Sequence, residues 1–164
     1  MCENLLILGA GQYGLLVKEI AESTGKFSKI DFLDDANPIA VGKLDDYARL
    51  HSDYGCAVVA MGNPDLRLSY LQGLAQAGYQ IPVLRHPSAV VMPSVRMGRG
   101  CIVEAMVVVN SNAVVGDGCL LCAGSVINHN AAVGKVCQID CNAVVAARAG
   151  VPDGTKVPCA TVFL

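Results

Sequence analysis

Residues 103–139 read VEAMVVVNSNAVVGDGCLLCAGSVINHNAAVGKVCQI, and their phase decides the fold of half the chain. Stepping by six from Val103 gives Val109, Val115, Leu121, Ile127, Val133 and Ile139, every one a large aliphatic. The residue two places before each is small or β-branched: Cys101, Val107, Ala113, Cys119, Ser125, Ala131 and Cys137. A period of six fits neither an α-helix, at about 3.6 residues per turn, nor the simple alternation of an ordinary strand. It fits short strands joined by tight corners, three to a coil, so that each residue stacks about 4.8 Å from its counterpart one coil on. The phase runs without insertion from Val91 to Phe163. It predicts a parallel β-helix filled by the aliphatic and the small residue beside it. Gly98, Gly116 and Gly134 follow their aliphatics and are expected to supply the positive φ of a corner.

The residues before this region are written differently. Those up to Ser88 hold seven of the 12 basic residues, ten of the 14 acidic ones and seven of the eight Phe and Tyr. Strands are expected at Leu5–Leu8, Lys29–Leu33, Cys56–Met61 and Ile81–Leu84, with helices at Tyr13–Ser23, Asp45–Leu50 and Asp65–Ala77. The first helix is expected to turn Leu15, Leu16, Ile20 and Ala21 inward. This βαβ rhythm predicts a small Rossmann-like α/β domain with a parallel sheet. The composition changes at His86-Pro87-Ser88, and proline disfavours helix in the residue before it. We place domains at 1–86 and 87–164.

Bulk properties narrow the function. The chain is 53% apolar and 16% charged with a net charge of -2, which gives no electrostatic reason to expect nucleic acid or an acidic membrane surface. No apolar run reaches the roughly 18 residues of a membrane span. Leu5–Leu8 lacks a basic flank before it, so it reads as a first strand and not a signal peptide, and the expectation is a cytoplasmic protein. There all eight cysteines would stay reduced. Cys119-x-x-Cys122 and Cys137-x-x-x-Cys141 have the look of zinc ligands, but Cys101, Cys119 and Cys137 are each the small interior residue of a coil. Core filler is the better reading, and no metal is expected. A three-histidine zinc site fails too, since the coils contain one histidine, His129.

Gly9-x-Gly11-x-x-Gly14 follows a strand and opens a helix, the setting in which backbone N–H groups face a phosphate. Asp34 and Asp35 lie about 20 residues on, where a carboxylate accepts a sugar hydroxyl. A dinucleotide oxidoreductase would need more strands than these. In the coils, Asn128-His129-Asn130 repeats Asn110-Ser111-Asn112 one coil later. His129 stands two places after inward Ile127, at a corner, with its ring expected to point off the prism. The asparagines suit corners because they tolerate the left-handed region.

The period of six resembles the hexapeptide-repeat acyltransferases, which implies a left-handed parallel β-helix, a homotrimer and acetyl-CoA as co-substrate. With the glycine loop, Phe32-Leu33-Asp34-Asp35, Gly62-Asn63, His86-Pro87 and Val126-Ile127-x-His129, the chain is similar to the bacterial sialic-acid O-acetyltransferases and UDP-4-amino-sugar N-acetyltransferases. That resemblance implies acetyl transfer to an amino or hydroxyl group of a nucleotide-linked sugar. It places Gly11, Gln12 and Tyr13 at the diphosphate, Asp34 and Asp35 at the uracil or sugar, and Gly62 opposite. It makes His129, with Asn130 beside it, the general base, a role neutral imidazole suits at a pKa near about 6.5. It sets Gln138, Ala147 and Cys159 along acetyl-CoA. The chain departs from the family in carrying Asn130 where an acidic residue usually stands and Gln138 where some members have a second histidine. Those departures leave a non-catalytic nucleotide-sugar-binding protein as the alternative.

Overall fold

The computed structural model describes residues 4–164. The chain divides into two compact units, Met1–Pro82 and Val83–Leu164.

The first unit runs β1 (Asn4–Leu8), α1 (Gln12–Ser23), β2 (Lys29–Leu33), a 3-10 turn (Leu44–Asp46) leading into α2 (Tyr47–Leu50), β3 (Cys56–Val59) and α3 (Pro64–Gln76). Its sheet is parallel in the order β2-β1-β3. Leu5 to Leu8 and Ala57 to Val59 are fully buried, the unbroken apolar run of strands covered on both faces. Two expectations need correction. Helix α1 buries Gly14, Val17, Ile20 and Ala21, while Leu15 and Leu16 are exposed. Its phase is set by Gly14, where a Cβ would sit 2.1 Å from the Gly9 carbonyl oxygen, so only glycine can be turned inward there. The strand expected at Ile81–Leu84 does not join this sheet. Strand β4 (Leu84–Arg85) pairs instead with Ile102–Val103 of the coils, and isolated Leu33↔Gly42 and Cys56↔Gln80 bridges extend the sheet at its two sides.

The second unit is a parallel β-solenoid of about four turns, consistent with the left-handed β-helix expected. Two-residue strands recur every six residues from β4: β5 (Val90–Val91), β6 (Arg96–Met97), β7 (Ile102–Val103), β8 (Val108–Val109), β9 (Val114–Val115), β10 (Leu120–Leu121), β11 (Val126–Ile127), β12 (Ala132–Val133), β13 (Gln138–Ile139), β14 (Val144–Val145), β15 (Gly150–Val151), β16 (Lys156–Val157) and β17 (Val162–Phe163). They stack into three faces. The first holds β4, β7, β10, β13 and β16, the second β5, β8, β11, β14 and β17, the third β6, β9, β12 and β15. Every rung joins residues 18 apart, as Val126↔Val108 and Val126↔Val144. The core is the expected one: Val103, Val109, Leu121, Ile127, Ile139 and Val145 are fully buried, with Cys101, Val107, Ala113, Cys119 and Cys137 beside them.

The corners correct one sequence inference. Positive φ falls at Gly100, Met106, Asn112, Gly118 and Gly124, then at Asn130, Val136, Asn142, Arg148, Gly154 and Ala160, each six residues from the last. Gly98, Gly116 and Gly134 do not have it. They are glycine because successive coils press together there: a Cβ on Gly116 would sit 2.8 Å from the Gly134 backbone.

The column of thiols fills the interior, and each thiol also bonds a backbone carbonyl. Sγ of Cys101, Cys119 and Cys137 donates to the carbonyls of Gly116, Gly134 and Pro152 at 3.1, 2.9 and 3.0 Å. The hydrogen-bonded Cys101 thiol, with burial, pushes the Cys119 thiol up to about 12. Cys56 is disulfide-bonded, which departs from the expectation that every cysteine stays a thiol, and Cys2 lies outside the described residues.

Candidate functional site

In the first unit the glycine loop is built by its ends. Gly9 takes φ +106, and a Cβ there would meet the Ala60 carbonyl oxygen at 2.8 Å. Its N–H donates to the Leu33 carbonyl at 2.8 Å. Gly11 is different: its φ of -74 is open to any residue, and a Cβ on it meets nothing within 4 Å. Neither conformation nor packing requires glycine there. Gly11 precedes a bare helix start. Helix α1 has no side-chain cap and no acidic residue in its first turn, so the partial positive charge of its start lies beside exposed Gly11 and Gln12 and half-exposed Tyr13. Helix α3 shows the contrast. The Asn63 side chain accepts from Asp65 N at 3.0 Å and Leu66 N at 3.1 Å, with Asp65 in the first turn.

The two aspartates divide in role. Asp34 is engaged inside the protein: Oδ2 accepts from Ala10 N at 2.8 Å, and Oδ1 accepts from Ala36 N and Asn37 N, both at 2.9 Å. These donors, Ala10 first, hold its carboxyl below the usual carboxylate range. Asn37 closes the ring by donating to the Ala10 carbonyl at 2.6 Å. Asp34 therefore shapes the glycine loop. Asp35 is exposed, and its Oδ1 accepts from Leu44 N at 3.1 Å. Gly62 is exposed and open, and its carbonyl accepts from Arg67 Nη1 at 3.1 Å. Arg67 is 1% exposed and also donates to the Met61 carbonyl, so a buried guanidinium fixes that loop. Sequence reading missed Asn37 and Arg67. Asp34-x-x-Asn37 carries an Asx-turn signal that finds the first, whereas an arginine on a helix of low amphipathicity gives no signal of burial.

In the coils, His129 stands exposed at the corner from the second face to the third. Asn130, at φ 59, brings its amide Nδ2 to 2.9 Å from His129 Nδ1. The neighbouring rungs fix this corner: Asn110 Nδ2 donates to Asn128 Oδ1 at 3.3 Å, Asn130 N to the Ser111 carbonyl at 3.0 Å and Arg148 N to the His129 carbonyl at 3.2 Å. Ala147 is the residue one coil above His129 in register, and it too is exposed.

The other residues expected along acetyl-CoA are not gathered there. Gln138 is on β13 of the first face, at the far end of the third-face strand β12 (Ala132–Val133) from His129. Its Nε2 donates to Asp140 Oδ1 at 2.7 Å, and Lys156 Nζ lies 3.4 Å from Asp140 Oδ2. A carboxylate accepts only, so this bond fixes the amide and leaves its Oε1 and one N–H for another partner. Sequence reading passed over Asp140, which is 9% exposed and orients Gln138. Cys159 is exposed at the corner from the first face to the second. One chain thus brings together His129, Asn130 and Ala147, and holds Gln138 and Cys159 apart from them.

Residues 4–74 match the PglD N-terminal domain family. The structure is similar to the acetyltransferase domain of PglB from Neisseria gonorrhoeae FA1090, with a TM-score of 0.90 and 25% identity over 99% of this chain and 91% of that one. The same domain in complex with acetyl coenzyme A gives 0.83 at 25% identity, over 94% and 95%. A perosamine N-acetyltransferase variant from Caulobacter crescentus, in complex with CoA and GDP-perosamine, gives 0.76 at 26% identity, over 97% and 84%. The chain has the two-part architecture of the hexapeptide-repeat sugar acetyltransferases, as its motifs implied. Among the described residues no helix is long and apolar enough to cross a membrane.

Proposed function

We propose that the protein transfers an acetyl group from acetyl-CoA to an amino or hydroxyl group of a nucleotide-linked sugar, with His129 as the general base. The observation that carries this reading is the His129 corner: an exposed imidazole, hydrogen-bonded through Nδ1, with Ala147 at the same position one coil on. The relatives solved with acetyl coenzyme A, or with CoA and GDP-perosamine, support the two ligands. Acetyl-CoA supplies the acyl group as a thioester. The protein's part is to hold the acceptor and take its proton. The bare start of α1 at Gly11, Gln12 and Tyr13 receives the diphosphate, Asp35 meets the base or sugar, and open Gly62 lets that group approach. Asp34 acts from behind by keeping the loop in shape.

His129 does its work through Nε2, which must be unprotonated to accept the acceptor's proton. That requires Nδ1 to carry the hydrogen and donate it to Asn130 Oδ1. Rotating the Asn130 amide by half a turn exchanges Nδ2 for Oδ1 and gives this arrangement. The orientation with Nδ2 against Nδ1 favours the second reading, a nucleotide-sugar-binding protein without catalysis, because it leaves the proton on Nε2. Gln138, fixed by Asp140, and Cys159 are the residues we assign to acetyl-CoA beyond Ala147. Their separation from His129 within one chain favours a homotrimer in which neighbouring copies complete each site. The test is to mix the protein with acetyl-CoA and UDP- or GDP-linked amino sugars and follow free thiol and product mass. Thiol release that needs the sugar and His129 supports the enzyme. Nucleotide-sugar binding with no thiol release on any acceptor supports the binding protein.

A further inference from the structure

Cys141 and Cys159 are the exposed thiols among the described residues, and both are free. They are one full coil apart, and each stands two places after the inward aliphatic of its strand, Ile139 and Val157. The rungs Ile139↔Val157 before them and Val144↔Val162 after them hold the two corners in register. Ala160 N donates to the Cys141 carbonyl at 3.0 Å, which ties the corners directly. In-register parallel neighbours stand about 4.8 Å apart, inside the roughly 4.4 to 6.8 Å that a disulfide spans between Cα atoms. Burial, then Glu104 and then Cys159, push the Cys141 thiol up, so thiol exchange is run at alkaline pH. One coil below Cys141 the same corner position holds Ala123. Strands β16 (Lys156–Val157) and β17 stand last in the order of their sheets, paired with β13 and β14.

We propose that Cys141 and Cys159 are a modification site that closes to a reversible disulfide between coils, by exchange with a small-molecule disulfide such as oxidised glutathione. One cysteine thiolate attacks a sulfur of the oxidant, forms a mixed disulfide and releases the first glutathione thiolate. The second cysteine thiolate attacks the protein-bound sulfur and releases the other. Two protein thiols are oxidised to one disulfide, one glutathione disulfide is reduced to two thiols, and the two protons pass to the leaving thiolates. The bond ties β16 and β17 to the coil below and engages Cys159, which the proposed function sets along acetyl-CoA, so the oxidation is tested without acetyl-CoA.

The experiment incubates the full chain with oxidised glutathione at pH 8, blocks remaining thiols and maps the peptides by mass spectrometry, with Cys141→Ser and Cys159→Ser in parallel. The expected result is loss of two hydrogens in the wild type, with the peptides of Cys141 and Cys159 joined. Each single variant instead keeps a glutathione adduct on its remaining cysteine. The oxidised wild type is expected to melt several degrees higher, a rise that dithiothreitol reverses. A stable glutathione adduct on the wild type, a cross-link to a third cysteine or to another chain, or no reaction at these positions while the urea-unfolded chain reacts would each overturn the proposal.

Discussion

Asn130 Nδ2 lies 2.9 Å from His129 Nδ1, so the orientation of one amide decides which imidazole nitrogen is a base. Aspartate at position 130 would remove the choice, since a carboxylate only accepts and forces the proton onto Nδ1. It also tolerates the left-handed backbone that Asn130 adopts. Asn130→Asp is expected to raise kcat/KM for acetyl transfer and to move the acid limb of its pH profile upward, because the charge favours imidazolium. His129→Ala is expected to lower kcat/KM by about 10²-fold or more. The measurement is transfer rate against pH for the three proteins. Equal rates for wild type and His129→Ala would remove His129 as the base.

The glycines of the nucleotide loop separate binding from folding. A side chain on Gly11 meets nothing within 4 Å, so Gly11→Val is expected to melt like wild type and to lose the thermal shift that UDP or GDP gives by mass action. Gly14→Ala drives a Cβ to 2.1 Å from the Gly9 carbonyl oxygen and is expected to destabilise the first unit by about 3 kcal/mol. A retained shift in Gly11→Val would remove the loop as the diphosphate site.

The chain's legibility followed the strength of its periodicities. The coils were readable rung by rung because one interior imposes one phase, from Val103 to Val157. The corners were misread because two demands on glycine look alike in sequence: Gly98, Gly116 and Gly134 answer close stacking, whereas the left-handed positions three residues before each inward aliphatic accept Met106, Val136 and Arg148 as well as glycine. Strand β4 was misplaced since Leu84 is apolar in either sheet and only tertiary pairing decides. At the nucleotide loop, sequence located Asp34 and Asp35 without separating their roles, which rest on three backbone donors invisible in composition.

Asp34 supplies a pH test of its role. Its folded pKa is depressed by Ala10, Ala36 and Asn37 N–H groups. The stability it contributes is therefore present above the unfolded value of about 3.9 and is lost as pH falls through the folded one. Asp34→Asn is expected to cost about 1–3 kcal/mol near neutrality. Urea titrations at several pH values should show that difference shrinking below about pH 4. A constant difference would mean that the charge of Asp34 is not what holds the loop.

Ser125 is fully buried in the coil interior, and its hydroxyl has no hydrogen-bond partner. It occupies the small interior position filled by Ala113, Ala131 and Ala143 in other rungs. Ser125→Ala removes an unsatisfied polar atom and almost no volume, so it is expected to stabilise the protein by about 1 kcal/mol. Thermal melts compare the two. A loss of stability would show that the hydroxyl has a partner, such as a buried water.

The last prediction concerns assembly. On the first face the positions that alternate outward, Ile102 and Leu120, are buried within the chain. The second face differs. Val90, Val108, Val126, Val144 and Val162 form one ladder of outward valines, half-exposed along the middle and 50% and 61% exposed at its ends. Apolar area of this kind favours association at about 25 cal/mol per Å². The face ends at the corner that carries His129, so copies joined there place a neighbour beside the imidazole. Light scattering at micromolar concentration is expected to give about three times the 17.1 kDa of the chain. Val108→Lys combined with Val144→Lys sets unpaired charges on the ladder and is expected to yield monomers that remain folded and lose acetyl transfer. A monomeric wild type, or a monomeric variant of full activity, would show that each chain carries a complete site.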